Sequence, residues 1–597
     1  MKNLIFKQFF FLFCIAVIVT SCDDQILNKK PLDQISEEDL WNDPALVESY
    51  VNDIYQGVGH GFFAVNVSSG VDETIITHGW NDTPIKQSNM TPDELGLFGD
   101  GAVAPFDHFH WDDLYGNIRS INVFLENIGE SPVEQSLKDR LTGEVHFLRA
   151  YFYHNLVKLY GGVPIIKESF NLDDDFLVER DSFEDCINFI VEDLDAAASL
   201  LPTVIEGDKA HASKGAALAL KSRILTYAAS DLYAQNPSGN DYTGYTGGDQ
   251  TQRWERAKAA AEAVMDLGYS LYQADPAPGD STAKNYADLF LQKDHEEIIF
   301  ARYFLQNQSY EWYEADMGLF HGPNGWHNWG GDTPLGQMVD AYEMEDGTEF
   351  NWQAFRNGDP AYGESPYENR DPRFYASIFY NGSQWRERPA DMIDLDPEGI
   401  VETASFEVEG QSDLRPGLDT RDGPIEDWNG TYTGYYMRKF LDPNVDHQFF
   451  RQEVPWIFIR YAEILLNYAE ASIELDEEGD ARTALNAIRE RAGMPDIPAT
   501  ETGQDLMERY RNERRIELAF EDHRYFDVRR WMIAPDVYEN GEGVNIIGRL
   551  NNNGSYTFEY NIVEIDQRQW NDNAYFLPIP RYEMERNENL EQNPGYN

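Results

Sequence analysis

Cysteine is scarce in this chain, with three in 597 residues, at positions 14, 22 and 186. Cys186 stands alone in the body of the protein, so no intramolecular disulfide framework is expected there. Basic residues are also few: 47 Lys and Arg face 105 Asp and Glu, for a net charge of −58. A surface this acidic repels nucleic acid and other polyanions, and it favours neutral or cationic ligands. Long apolar runs are missing as well. The longest, Phe9–Val19, has 11 residues, against about 20 needed to span a bilayer. No Gly-x-Ser-x-Gly, His-Glu-x-x-His or Walker sequence occurs.

What is present begins with that short apolar run. Lys2 and Lys7 precede it, Val19-Thr20-Ser21 leads out of it, and Cys22 then stands before Asp23 and Asp24. A basic start, a short apolar stretch and small residues before the cut make a secretory signal. A cysteine at the cut makes it a bacterial lipoprotein signal. Residues 1–21 are therefore expected to be removed and Cys22 to carry lipid. Several acyl chains, at about 0.8 kcal/mol per buried CH₂, tether such a body permanently to a membrane surface.

Helical periodicity dominates the body. Leu137, Leu141, Val145, Leu148, Phe152, Leu156 and Leu159 recur at three- and four-residue steps until Gly161-Gly162 and Pro164 end the helix. Ala212–Ala234 and Trp254–Leu267 read as Ala-rich helices, and Cys186 falls on the apolar face of another, as a small core residue. Arg460–Gly493 reads as a helix pair of 34 residues, the tetratricopeptide period. Between residues 269 and 455 the texture changes to dense Gly, Pro, Asn, Asp, Trp and Tyr. Short strands, such as Ile298–Phe304 and Phe374–Tyr380, and long loops are expected there.

Five stretches carry a family resemblance. They are Trp111-x-x-x-Tyr115-x-x-Ile118-x-x-x-Asn122; Phe147-Leu148-Arg149-Ala150 on to Tyr160-Gly161-Gly162-Val163-Pro164; Ile459-Arg460-Tyr461-Ala462-Glu463 through Glu470-Ala471 with Arg489-x-Arg491-Ala492-Gly493; Glu513-Arg514-Arg515 through Trp531; and Leu577-Pro578-Ile579-Pro580 through Asn593-Pro594-Gly595-Tyr596. In these the chain resembles the SusD/RagB family of outer-membrane nutrient-binding lipoproteins of Bacteroidota. The resemblance implies a mainly α fold in which tetratricopeptide-like pairs support a loop-rich ligand-binding region with short strands. It implies a non-catalytic protein without a cofactor, anchored by lipid to the outer membrane and facing the exterior. Its implied partners are a glycan and a SusC-like TonB-dependent barrel that imports it. The domain expectation is a leader (1–21), an N-terminal helical region (22–268), a loop-rich binding region (269–455) and a C-terminal helical region (456–597).

The motifs themselves read as scaffold. Glu517, Glu521, Arg524, Asp527 and Arg530 alternate in sign at three- and four-residue steps, as helix-surface or interhelical ion pairs do. Sugar binding needs flat aromatic rings for C–H faces and polar groups for hydroxyls. Of the 13 tryptophans, Trp41, Trp111, Trp254, Trp456 and Trp531 fall in helical or motif segments and are assigned to packing; Trp80, Trp312, Trp326, Trp329, Trp352, Trp385, Trp428 and Trp570 fall in loops. The foremost candidate cluster is His321–Asp332, with Trp326, His327, Trp329 and Asp332 as ligand contacts. The second contains Asp72, Trp80, Asn81 and Asp82. The third is Tyr310 with Trp312. His108-x-His110 lacks a third ligand, so no metal is expected. A peptide-capturing member of the same family, suited by negative charge, and a lipid-anchored glycoside hydrolase are the alternatives.

Overall fold

The computed structural model describes residues 37–596, apart from 64, 80–82, 100–106, 172, 175, 204–206, 274–279 and 305–315. The leader and Cys22 lie outside the described residues. Helix makes up 45% of the structure and strand 10%, with the strands in small sheets, so the mainly α expectation holds.

The principal helices are α1 (Pro44–Tyr55), α2 (Trp111–Asn127), α3 (Gln135–Tyr160), α4 (Phe183–Leu200), α5 (Lys214–Ala229), α6 (Gln250–Met265), α7 (Tyr461–Glu474), α8 (Glu478–Ala492), α9 (Gln504–Glu517) and α10 (Arg524–Arg530). Local chemistry sets their ends. Ser182 and Ser213 cap α4 and α5 by accepting the backbone N–H groups of Asp185 and Ala216. Gly161 ends α3 at φ 79°, and a Cβ there would lie 2.3 Å from the Tyr242 carbonyl oxygen. Ala257, Ala260, Ala261 and Val264 of α6 face inward, and their small side chains let α5 and α7 pack against it. The predicted pair at 460–493 is present as α7 and α8. Cys186 is fully buried, and burial pushes its thiol up to about 12.

Ten strands lie among the described residues: β1 (Thr74–Ile76), β2 (Ile298–Arg302), β3 (Asp332–Pro334), β4 (Ile378–Phe379), β5 (Ser405–Phe406), β6 (Arg415–Pro416), β7 (Tyr436–Met437), β8 (Trp456–Arg460), β9 (Gly541–Leu550) and β10 (Tyr556–Asp566). They form three antiparallel pairs, β1–β3, β2–β8 and β4–β7, and one sheet in the order β10-β9-β5-β6. The strand predicted over 374–380 is mostly helix. Asp371 caps Pro372–Ser377 through its side chain and Pro372 starts the turn, leaving only β4 extended.

Apart from a cluster that packs α7, α8 and α9 together, two large apolar clusters hold these elements. One joins α1–α6 to residues between Tyr525 and Leu590. The other gathers the loop-rich region around Phe374, Tyr435 and Trp456. Between the elements lies a buried lattice of charge. Arg460 donates to Glu297 (2.7 Å), Glu517 (2.6 Å) and Glu521 (2.8 and 2.7 Å). Arg491 bonds Glu297 and Glu517, and Arg373 bonds Asp371, Glu513 and Glu517. Arg530 bridges Asp527 and Glu470. The spacing therefore marks buried pairs, most of them between elements and one, Asp527 with Arg530, within a helix, rather than a helix surface. The helix also breaks after Glu517, where Phe520 and Asp522 take φ of 61° and 62°. That turn carries Glu521 back onto Arg460.

Candidate functional site

The five tryptophans assigned to packing are all buried, from 2% to 8% exposed. Among the loop tryptophans, Trp329, Trp352, Trp385 and Trp570 are half-buried. Trp352 donates to Asp340, Trp385 packs on Phe379 and Trp570 packs on Tyr575. Trp428 differs: it is 60% exposed.

Trp428 is carried by the loop from Thr420 to Thr431, which closes on itself through a parallel bridge between those two residues. Close backbone approach inside the loop requires Gly430, where a Cβ would lie 2.5 Å from the Arg421 nitrogen. Arg421 donates through Nη1 to the carbonyls of Trp428 (3.2 Å) and Gly430 (3.0 Å). Its guanidinium lies 4.0 Å from the ring centre of Tyr432, which is 46% exposed. Glu426 adopts φ 41° and accepts from Asn429 Nδ2 at 2.9 Å. The loop thus presents two exposed rings and a stacked guanidinium on a braced backbone.

The segment His321–Asp332 lies beneath this loop. Asn324 Nδ2 donates to the carbonyls of Ile425 (2.8 Å) and Thr420 (3.3 Å), and its Oδ1 accepts from Tyr436 Oη at 2.7 Å. Gly325 donates to Asp419. His327, at φ 60°, sets Nδ1 3.2 Å from Glu426 and Nε2 3.0 Å from Asp391. His78 Nε2 donates to the Trp329 carbonyl at 2.8 Å. Burial lowers the basicity of His78, and the nearby Arg421 charge lowers it further.

Three predicted contacts are corrected. Trp326 is 3% exposed: the Arg388 guanidinium covers its ring at 3.6 Å and its Nε1 donates to the Glu387 carbonyl, so no face remains for a ligand. Asp332 is fully buried and accepts from the Asn66 backbone at 2.7 Å. Asp72 is buried between Arg515 and Arg524. Burial alone would raise its carboxyl, but those two guanidiniums outweigh burial and hold it well below the usual carboxylate range. Trp329 and His327 lie at the edge of the exposed loop and keep partial access. Trp80, Asn81, Asp82, Tyr310 and Trp312 lie outside the described residues. Arg421 and Tyr432 were not signalled by any motif; exposure of the Thr420–Thr431 loop arises from packing between distant segments.

Two family models match the chain. One, described as the SusD family, covers residues 296–596; the other, described as starch-binding associating with outer membrane, covers residues 30–226. SusD-like protein P25 of Formosa agariphila is 25% identical over 449 residues, 72% of this chain and 71% of that protein. A crystal structure of a SusD-like protein from Bacteroides fragilis superposes with a TM-score of 0.74 at 32% identity, covering 95% of this chain and all of the other. A SusD-like carbohydrate-binding protein from the same species shares the fold, with a TM-score of 0.68 at 24% identity over 92% of this chain and all of that one. By sequence and by fold, the chain belongs to the SusD family.

Proposed function

We propose that the protein is a non-catalytic, lipid-anchored receptor on the outer face of the outer membrane. It captures an oligosaccharide and delivers it to a SusC-like TonB-dependent transporter. The observation that carries this reading is the pair of exposed rings, Trp428 and Tyr432, fixed on a closed loop. Each good contact between such a ring and a ligand is worth about 0.5–1.5 kcal/mol. Polar groups for hydroxyls stand close by, in Arg421, Glu426 and the His327–Asp391 pair. Family membership and the carbohydrate-binding relative add support. Charge supports a mainly neutral chain as the ligand, because a body of −58 repels a dense polyanion.

Affinity electrophoresis across neutral and anionic polysaccharides tests this, with each mixture checked for released reducing ends. Retardation by a neutral glycan without hydrolysis is expected. Hydrolysis would replace capture with catalysis, and binding of basic peptides but no glycan would replace it with peptide capture. Transporter delivery is tested by co-purification of a TonB-dependent barrel from outer membranes; a receptor that purifies alone from intact membranes contradicts it.

A further inference from the structure

Resting on the glycan reading, we propose that Arg421, Trp428 and Tyr432 form a subsite for one isolated anionic substituent, a carboxylate or a sulfate ester, on an otherwise neutral glycan. Several arginines of the loop-rich region are neutralised by carboxylates. Arg386 pairs with Asp446, Arg388 with Asp396 and Asp419, and Arg415 with Glu402. Arg421 has no carboxylate partner among the described residues. Its hydrogen bonds run from Nη1 to two backbone carbonyls, which leaves Nε and Nη2 without a described partner in a partly exposed side chain. Arg356 and Arg370 also lack a carboxylate partner among the described residues, but Arg370 is buried on backbone carbonyls, and Arg421 joins exposure to hydrogen bonds that fix it.

The geometry suits an oxyanion. Stacking on Tyr432 at 4.0 Å fixes the plane of the guanidinium, and the two carbonyl bonds fix its rotation. The remaining edge offers parallel N–H donors, the arrangement that binds carboxylate or sulfate oxygens through two bonds at once. Trp428, exposed on the same loop, and the uncovered part of Tyr432 offer apolar surface to a ring carrying the substituent.

Charge around the subsite limits it to one such group. Asp422 and Asp427 are exposed on the same loop, and Glu426 stands behind it. A second anionic group one sugar away meets these carboxylates instead of a cation. At physiological ionic strength fields fade over about 8 Å, so Arg421 acts at contact while the acidic body still opposes a polymer charged at every residue.

The test is a glycan array of matched sets probed with the full chain. Each set holds a neutral oligosaccharide, the same backbone with one uronate, and the same backbone with one sulfate ester. The expected result is a preference for one anionic member over its neutral partner of about tenfold, the size of one charge-assisted contact. Arg421→Gln abolishes that preference while the melting temperature stays unchanged, and Arg421→Lys restores it only in part. Raising salt from roughly 50 to 300 mM weakens the preference. Which arm gains identifies carboxylate or sulfate as the group. Equal binding within every set, or a preference that survives Arg421→Gln, overturns the proposal and leaves glycan capture standing. Binding to no member overturns the glycan reading itself.

Discussion

Arg460 and Arg421 occupy opposite kinds of place. Arg460 is 1% exposed and saturated by Glu297, Glu517, Glu521 and the Glu517 carbonyl. Arg421 is partly exposed, stacked on a tyrosine, and held only by carbonyls of its own loop. The first lies in the densest motif of the chain and the second in no motif. Buried charge must be paired within the fold, so it imposes strict residue types and spacings and leaves a legible pattern. An exposed loop meets no such demand. The most patterned region is therefore scaffold, and the candidate site lies where pattern is absent.

The largest expected effect comes from breaking the lattice. Arg460→Ala takes one cation from Glu297, Glu517 and Glu521, leaving three buried carboxylates to Arg491, Arg373 and Lys439, at an expected cost of about 3–5 kcal/mol in urea unfolding. A cost near zero would move these pairs to the surface class and dissolve the contrast.

The adjacent carboxylates Asp72 and Glu73 sharpen the comparison within one segment. Asp72 is ionised between two guanidiniums, whereas burial and the neighbouring Asp72 charge push Glu73 up to about 8. Asp72→Asn is expected to cost about 3 kcal/mol and Glu73→Gln less than about 1 kcal/mol. Because the Glu73 value is raised on folding, its contribution is full below the unfolded value of about 4.3 and is lost as pH rises towards 8. The stability of Glu73→Gln relative to the parent therefore grows over that window; a constant difference would refute the assignment.

Acid gives a smaller, distributed effect. Burial alone would raise Glu470, Glu513, Glu517, Glu521 and Asp527, but their arginine partners outweigh it and lower all five. Stability from these groups is complete above about pH 4.3 and is lost as pH falls through their folded values. Melting temperature measured against pH is expected to drop steeply below about pH 4. A flat acid limb would mean that the lattice carries little.

Much of the fold was legible. Gly161, Cys186, the five packing tryptophans and the helix pair at 460–493 stand where periodicity and turn chemistry place them. The candidate site was only approached. The segment with Trp326, His327 and Asp332 looked like a displayed surface because it is rich in Gly, Asn and Trp. Its glycines instead permit close packing: a Cβ at Gly325 would lie 2.3 Å from the Asp419 carboxylate, and one at Gly322 2.5 Å from the Asn328 amide. Asn324 then supports the loop above it. Trp428 was one loop tryptophan among eight, and nothing local separates it from Trp326. Exposure depends on which distant segments cover a ring, and no short sequence window contains that information.

The most direct measurement compares Trp428→Ala with Trp326→Ala, reading both glycan affinity and melting temperature. Trp428→Ala is expected to weaken binding about tenfold, as the loss of a stacking contact does, with melting unchanged. Trp326→Ala is expected to destabilise the fold by about 3–5 kcal/mol. Undiminished affinity in Trp428→Ala, in a chain that still binds glycan, would place the site elsewhere and contradict the account.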